Sequence, residues 1–496
     1  MTINVNTART SRKALDAVGK VSTGLFIDGR WGEAASGKRF DVVNPATEEV
    51  IATVADGGTE DAQRAIETAG RVQRKWAGTA PRERSEILRR AYELIMERQD
   101  ELALIMTSEM GKPFAEAQGE VAYAAEFFRW FSEEAVRIGG DQTTTGDGKS
   151  RILVSKEPVG PCVLITPWNF PLAMGTRKIG PAIAAGCTMV FKPANLTPLS
   201  SLALVDILAE AGLPDGVLNV VCTSKASAVV GPWMSSGIAR KISFTGSTEV
   251  GVRLLEQAAQ HVMRSSMELG GNAPFVVFED ADMDRAVEGA VAAKMRNMGE
   301  ACTAANRIFV QRSVADEFAE RLAARLEALA VGDGAVEGTD VGPLVETKAL
   351  AKVQELVDDA VAKGATVVCG GSRPERPGYF YTPTVLSNVD PGAQLMSEEI
   401  FGPVAPVIPF DTEEEVLRMA NDTPWGLVGY LFTQDVDRGF RVGDQLEVGM
   451  LGLNTGIVSN PAAPFGGVKA SGLGREGGRV GIEEFLEYKY MAVPRG

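Results

Sequence analysis

The chain has 496 residues, 45% of them hydrophobic and 23% charged, the balance of an ordinary soluble globular protein of two or three domains. Its formal net charge of -15 argues against nucleic acid as a partner, and no apolar run reaches the roughly 18 residues of a membrane span. Five sparse cysteines suit a reducing compartment without disulfides, and the single histidine, His261, excludes His-rich metal sites and leaves proton transfer to Glu, Asp, Lys or Cys.

The stretch from Met1 to Lys20 carries Arg9, Arg12, Lys13 and Lys20 but no apolar signal-peptide core, so residues 1–24 read as a frayed tail and the protein as cytoplasmic. Helical periodicity follows from about residue 60 to 140, with Gly111, Lys112 and Pro113 ending one long segment. The turn-rich run from Gly139 to Lys149 reads as a linker and a boundary. Short apolar runs at 162–166, 188–192, 217–221 and 241–245 then alternate with helical segments near 171–185, 198–211 and 247–260. That spacing predicts a parallel sheet with crossover helices, a doubly wound α/β fold. A second alternation starts at 273–278, with Asp282 capping a helix that runs to about Asn297 and is stopped by Gly299. The strand "RIFVQ", a helix from Val314 to Leu329 and the strands in "GATVVCGG" and "PVAPVIPF" complete a second α/β domain.

Gly246 and Gly251 in "FTGSTEVG" stand at a strand-to-helix turn, where backbone N–H groups and a helix dipole can meet an anion. In "FKPAN" the end of the second strand offers Lys192 and Asn195, where an NAD-selective site usually presents an acid. Glu268 precedes two glycines in "MELGGNAPF"; a lone Glu there is commonly a surface residue, yet a water-activating base must come from somewhere. Cys162, Cys187, Cys222 and Cys369 lie in or beside aliphatic strands and read as inert core thiols. Cys302 instead follows a helix end among small residues, where a nucleophilic thiol or a structural one would both fit.

Taken together, "ITPWNFP", "FKPA", "FTGSTEVG", "MELGGNAP", "GEAC", "EEIFGPV" and "PFGGVKASGLGREGG" occur in the order found in the aldehyde dehydrogenase superfamily, over roughly residues 25 to 493. The chain resembles its succinate-semialdehyde dehydrogenase branch through "TRKIGPA", "KMRN", "NTGIVSN" and "GLGREGG". The resemblance implies a Rossmann-like dinucleotide-binding domain from 25–138 and 157–267, a catalytic domain from 268–470, and oligomerisation segments at 139–156 and 471–496. It implies Cys302 as nucleophile, Glu268 as general base, and the Asn169 amide with the Cys302 backbone N–H as oxyanion hole. Lys178 and Glu476 would pass protons away from the base. Thr166, Pro167, Trp168, Lys192, Asn195, Gly246, Ser247, Gly251, Leu269, Glu399 and Phe401 would bind the dinucleotide, and Arg177, Arg296 and Ser459 a substrate carboxylate.

The implied reaction oxidises succinate semialdehyde through a thiohemiacetal and a thioester and needs neither histidine nor metal. Asn195 in place of an acid points to NADP, with NAD as the weaker substitute. The alternatives are a different or broader aldehyde specificity, a thiol hydrolase or acyltransferase relying on His261, and a non-catalytic relative. Two departures from the family pattern stand out. Glu300, two residues before the nucleophile, would raise the thiol pKa unless it points to solvent, and Ala304 removes the second cysteine that some relatives use as a redox switch. The terminal strand "FLEYKYMAV", apolar on both faces, is expected to join a neighbouring subunit's sheet in a homodimer or homotetramer.

Overall fold

The computed structural model describes residues 13–495. Helix 13–18 buries Ala14, Ala17 and Val18, which corrects the expectation of a frayed tail from Lys13 onward; the remainder of that expectation lies outside the described residues. Four helices follow, Thr59–Ala77, Pro81–Glu97, Gln99–Met110 and Phe114–Ala135. Gly111 ends the third in a left-handed conformation, φ 95°, which costs a glycine little.

Five parallel strands form the centre of the first sheet: β1 Cys162–Ile165, β2 Met189–Lys192, β3 Leu218–Val220, β4 Lys241–Thr245 and β5 Arg264–Glu268. Their spatial order is β3-β2-β1-β4-β5. The first four are buried along their whole length, so they read in sequence as continuous apolar runs rather than alternation. The order reverses between β1 and β4, and in open α/β sheets a ligand crevice forms beyond the strand carboxyl ends at such a point. Leu25–Ile27, with Arg30–Gly32 outside it, and Gly472–Leu473 extend the two sides antiparallel.

In the second sheet Thr384–Ser387, Val404–Phe410, Ala305–Gln311, Ala273–Val277, Val428–Phe432 and Met450–Leu453 run parallel in that spatial order. Thr366–Cys369 closes one edge antiparallel. Each sheet has its own buried apolar cluster, and the loop around Cys302 bridges them: Ala301 and Ala304 belong to the first cluster, Met298 and Ala305 to the second.

A third sheet corrects the reading of 139–149 as a linker. Asp141–Thr144 lies in the expected linker but pairs with Ser150–Pro158 as a fully exposed strand; four polar residues gave no alternation to read. The terminal strand Leu486–Pro494 pairs along nine positions with Ser150–Pro158 of its own chain and stands at the sheet edge. Along it Leu486 is buried, whereas Tyr488, Tyr490 and Met491 are exposed. No helix among the described residues is long and apolar enough to cross a membrane.

Candidate active site

The carboxyl ends of β1, β4 and β5 face the amino ends of strands from the second sheet. From the first come Thr166 to Phe170, Gly246 with Ser247, and Glu268; from the second come Gly271, Cys302 and Phe401, each just ahead of a strand. One cavity of about 350 Å³ gathers Pro167, Trp168, Asn169, Gly246, Ser247, Glu268, Leu269, Cys302, Glu399 and Phe401. These are ten of the residues expected at the site, and their convergence needs no cysteine exposed on the surface: Cys302 is half-buried.

Two glycines explain how close the walls come. A Cβ on Gly271 would lie 2.9 Å from the Cys302 carbonyl oxygen, and one on Gly466 would lie 2.7 Å from Glu268 Oε1. Both distances are below van der Waals contact, so the "GGN" and "FGG" stretches leave room for the nucleophile loop and the carboxyl group. Ahead of Cys302 the helix Met283–Met295 ends two residues earlier than expected, and Asn297, Met298 and Gly299 take left-handed φ values of 54°, 55° and 79°. Asn tolerates this conformation better than most residues, and Met does not. The turn is held by Glu116, whose carboxylate accepts the Asn297 N–H at 3.1 Å, and by Tyr430, whose hydroxyl donates to the Thr303 carbonyl at 2.8 Å.

Asn169 is aimed by four hydrogen bonds. Its Nδ2 donates to the Glu300 carbonyl at 3.0 Å and its Oδ1 accepts the Phe170 N–H at 3.1 Å, which leaves one amide N–H toward the cavity. Its main-chain oxygen accepts from Lys112 Nζ at 2.8 Å and from Asn297 Nδ2 at 3.0 Å.

Burial decides the protonation of both central groups. It pushes the Cys302 thiol up to about 12, with Arg177 pulling the other way. It also raises Glu268 well above the ordinary carboxylate range, helped by the nearby Glu476 and opposed by Arg177 and Lys178. Glu268 Oε2 has no hydrogen-bond partner although it is buried. Glu300 corrects the expectation of either a solvent-facing carboxylate or one that burdens the thiol. It is wholly buried, its Oε1 accepts the Val345 N–H at 3.2 Å, and burial raises its pKa well above the ordinary carboxylate range.

Glu476 meets both Lys178 and Arg177 in buried ion pairs, and Lys178 also donates to Ser243 Oγ at 3.0 Å. Burial works against charge on Glu476, but the two cations outweigh it and hold the acid below its usual range. This corrects the grouping of Arg177 with Arg296 and Ser459. Arg177 is 1% exposed, is committed to Glu476 and lies over the Phe465 ring at 4.2 Å.

Arg296 and Ser459 do meet, with Nη1 donating to Oγ at 3.0 Å. The guanidinium rests over Phe170 at 4.9 Å and Tyr123 at 5.8 Å. They line a second cavity of about 500 Å³ together with Lys112, Glu116 and Glu120. Asn169 faces the first cavity and Phe170 the second, so one short segment walls both.

The first cavity fits a nicotinamide dinucleotide. Gly246 and Ser247 present the start of helix Thr248–Ala259, where N–H groups and the helix dipole suit a pyrophosphate. Thr245 Oγ1, in the cavity lining, is buried without a partner and offers a hydrogen bond to a bound group. Glu399 is raised to about 7 by burial and accepts the Gly271 N–H at 3.4 Å. Phe401 sits at φ 52° with its ring edge-on to Trp168 at 5.4 Å. Lys192 and Asn195 do not line this cavity. Asn195 is exposed, and the buried Lys192 amine folds back to donate to the Pro193 carbonyl at 3.0 Å. Thr166 and Gly251 also stand outside the lining, Gly251 packed behind Leu269.

Lys112, Glu116, Asn297 and Tyr430 were not read from sequence; only "RN" ahead of a glycine hinted at a left-handed turn. His261 is exposed and lines neither cavity, so a hydrolase relying on an imidazole beside Cys302 has no support.

Residues 31–491 match the aldehyde dehydrogenase family. A succinate-semialdehyde dehydrogenase of Paenarthrobacter nicotinovorans is 58% identical over 444 residues, covering 90% of this chain and 99% of the relative. A glutarate-semialdehyde dehydrogenase of Pseudomonas putida is 53% identical, with 94% and 97% covered. An Escherichia coli crystal structure described as an NADP dependent enzyme superposes with a TM-score of 0.95 at 50% identity, covering 96% of this chain and 98% of that one.

Proposed function

Because the chain belongs to the aldehyde dehydrogenase family, we propose that it oxidises succinate semialdehyde to succinate, using NADP in preference to NAD. The observation that carries this substrate is the Arg296–Ser459 pair, 3.0 Å apart, in the second cavity. A guanidinium offers a carboxylate two parallel hydrogen bonds, and the rings of Phe170 and Tyr123 hold it in place. The P. nicotinovorans and P. putida relatives, both named for semialdehydes that end in a carboxylate, support the same substrate class.

In this reading the Cys302 thiolate adds to the aldehyde carbon. The second N–H of Asn169 and the Cys302 backbone N–H meet the oxyanion that develops, and prearranged donors of this kind supply much of a transition state's stabilisation. The adduct would lose a hydride and become a thioester on Cys302, the hydride acceptor being a nicotinamide dinucleotide. Gly246, Ser247, Leu269, Glu399 and Phe401 hold and orient it there. Glu268 then takes a proton from water, the water oxygen attacks the thioester carbonyl, and Cys302 leaves as the acid is released. Glu476, kept ionised by Arg177 and Lys178, lies next on the way out for that proton.

The preference for NADP rests on Asn195, an exposed amide just after β2 where a carboxylate would repel a 2′-phosphate, and the E. coli structure lends support. Cofactor binding belongs to 25–138 with 157–267, and catalysis to 268–470. The open edge of Leu486–Pro494, with Tyr488 62% and Tyr490 68% exposed, suits a homodimer or homotetramer in the cytoplasm. Steady-state kinetics with succinate semialdehyde, glutarate semialdehyde and butanal against both cofactors test the whole reading. Succinate semialdehyde with NADP should give the highest kcat/KM, and a preference for butanal would overturn the substrate.

A further inference from the structure

"EMGKPFAEAQGE", from Glu109 to Glu120, marks a helix stop in sequence, yet the fold carries three of its charged residues, Glu109, Lys112 and Glu120, inside. Lys112 and Glu120 are 1% and 3% exposed and form a buried ion pair. Each also reaches the segment that bears Asn169. Lys112 Nζ donates to the Asn169 main-chain oxygen at 2.8 Å and lies over the Phe170 ring at 4.2 Å. Glu120 Oε1 accepts the N–H groups of Leu172 and Ala173, both at 3.1 Å, and so caps the helix Ala173–Ala185 that carries Arg177 and Lys178.

We propose that Lys112 and Glu120 are positioning residues of the oxidation: they fix Asn169 and the residues after it so that the free Asn169 amide N–H meets the oxyanion. Neither group touches the reacting atoms. Their partners hold the two ends of one five-residue stretch, Asn169 to Ala173, and Asn297 supplies the second donor to the Asn169 oxygen, at 3.0 Å. The nucleophile's approach turn and the oxyanion donor thus share one buried polar frame. A buried ion pair contributes little net stability relative to apolar residues of the same volume, whereas a displaced oxyanion donor loses a large rate factor. The arrangement therefore makes most sense as a device for position. This inference rests on the oxyanion role given to Asn169 above.

Removing Lys112 alone would strand the Glu120 carboxylate and endanger folding, so the informative variant is the neutral pair Lys112→Met with Glu120→Gln. The glutamine amide oxygen can still accept from Leu172 and Ala173, and the methionine fills the space of the lysine without a donor. We expect kcat with succinate semialdehyde to fall ten- to hundred-fold, while the cofactor Kd and the rate of Cys302 alkylation by iodoacetamide, which forms no oxyanion, stay within about twofold. Glu120→Gln alone should lose less than about threefold. Equal losses in kcat and alkylation would overturn the proposal, since the pair would then be supporting the fold at large. An unchanged kcat would also overturn it. Asn169→Ala separates the two readings: if it leaves kcat intact, the oxyanion assignment fails; if it lowers kcat while the double variant does not, only the positioning role fails.

Discussion

The two cavities on either side of the Asn169–Phe170 segment are walled in opposite ways. The one at Cys302 has Trp168 and Phe401 among its walls, and two of its acids, Glu268 and Glu399, are raised by burial. The other is lined by groups that carry charge and have partners: Lys112 with Glu120, and Arg296 with Ser459. In the first, burial favours the protonated forms of the groups that must react, so the control there is protonation. In the second, hydrogen bonds fix the direction of charged groups, so the control is position and selectivity.

Replacing Glu268 by Gln should break the first cavity most severely. Steady-state kcat should fall by about 10²- to 10⁴-fold, the usual weight of a general base. The first turnover of reduced cofactor should persist, because hydride leaves before water is needed. Rapid-mixing absorbance of the reduced nicotinamide checks this, and loss of the burst would assign Glu268 to thiol activation instead.

Arg296→Ala should break the second cavity alone. Losing one partner of a charged hydrogen-bonded pair costs about 2–5 kcal/mol, which is tens to thousands of fold in kcat/KM for succinate semialdehyde. Butanal, with the same chain length and no carboxylate, should lose far less. Equal losses for both aldehydes would mean that Arg296 supports the fold rather than reads the substrate.

The pH profile sharpens the contrast. The reactive forms of Cys302 and Glu268 are the deprotonated ones, and burial raises both pKa values, the thiol's to about 12. The thiolate is therefore scarce at neutral pH, and both active forms grow as pH rises. kcat/KM should climb by about tenfold per pH unit through neutrality, following the free enzyme's thiol. A flat profile would show that Cys302 is already ionised in the resting enzyme.

These expectations divide along the same line that separated what could be read in sequence from what could not. Strands β1 to β4 were legible because both their faces are apolar, and Gly246, Glu268 and Cys302 were legible because each follows or precedes such a run. Asp141–Thr144 was not, since an exposed strand of polar residues carries no alternation. The frame around Asn169 was not legible either. A lysine after a helix-ending glycine reads as solvated, and only the packing of Phe114–Ala135 against Ala173–Ala185 takes Lys112 and Glu120 out of water. The same holds for Arg177, whose partner Glu476 lies 299 residues away in the numbering of the chain. Long-range pairing of buried charge has no local signature.

The smallest effect is expected at Glu300, where sequence alone suggested a large one. A carboxylate two residues before a nucleophilic thiol would oppose its ionisation if it were charged and near. Here the side chain turns away to the Val345 N–H, 3.2 Å from Oε1, and burial raises the carboxyl well above the ordinary range, favouring its neutral form. What Glu300 gives the site comes from its backbone, whose carbonyl takes the amides of Asn169 and Asn297, each at 3.0 Å. Glu300→Gln preserves that carbonyl and offers Val345 an equivalent acceptor, so kcat/KM and the rate of Cys302 alkylation should both stay within about threefold of wild type. Glu300→Ala, by contrast, leaves the Val345 N–H buried without a partner and should cost about 1–3 kcal/mol of stability. Thermal unfolding would register that cost, while the rate of alkylation in the fraction that stays folded should not change. A tenfold faster alkylation in Glu300→Gln would show the opposite: an ionised carboxylate holding the thiol back.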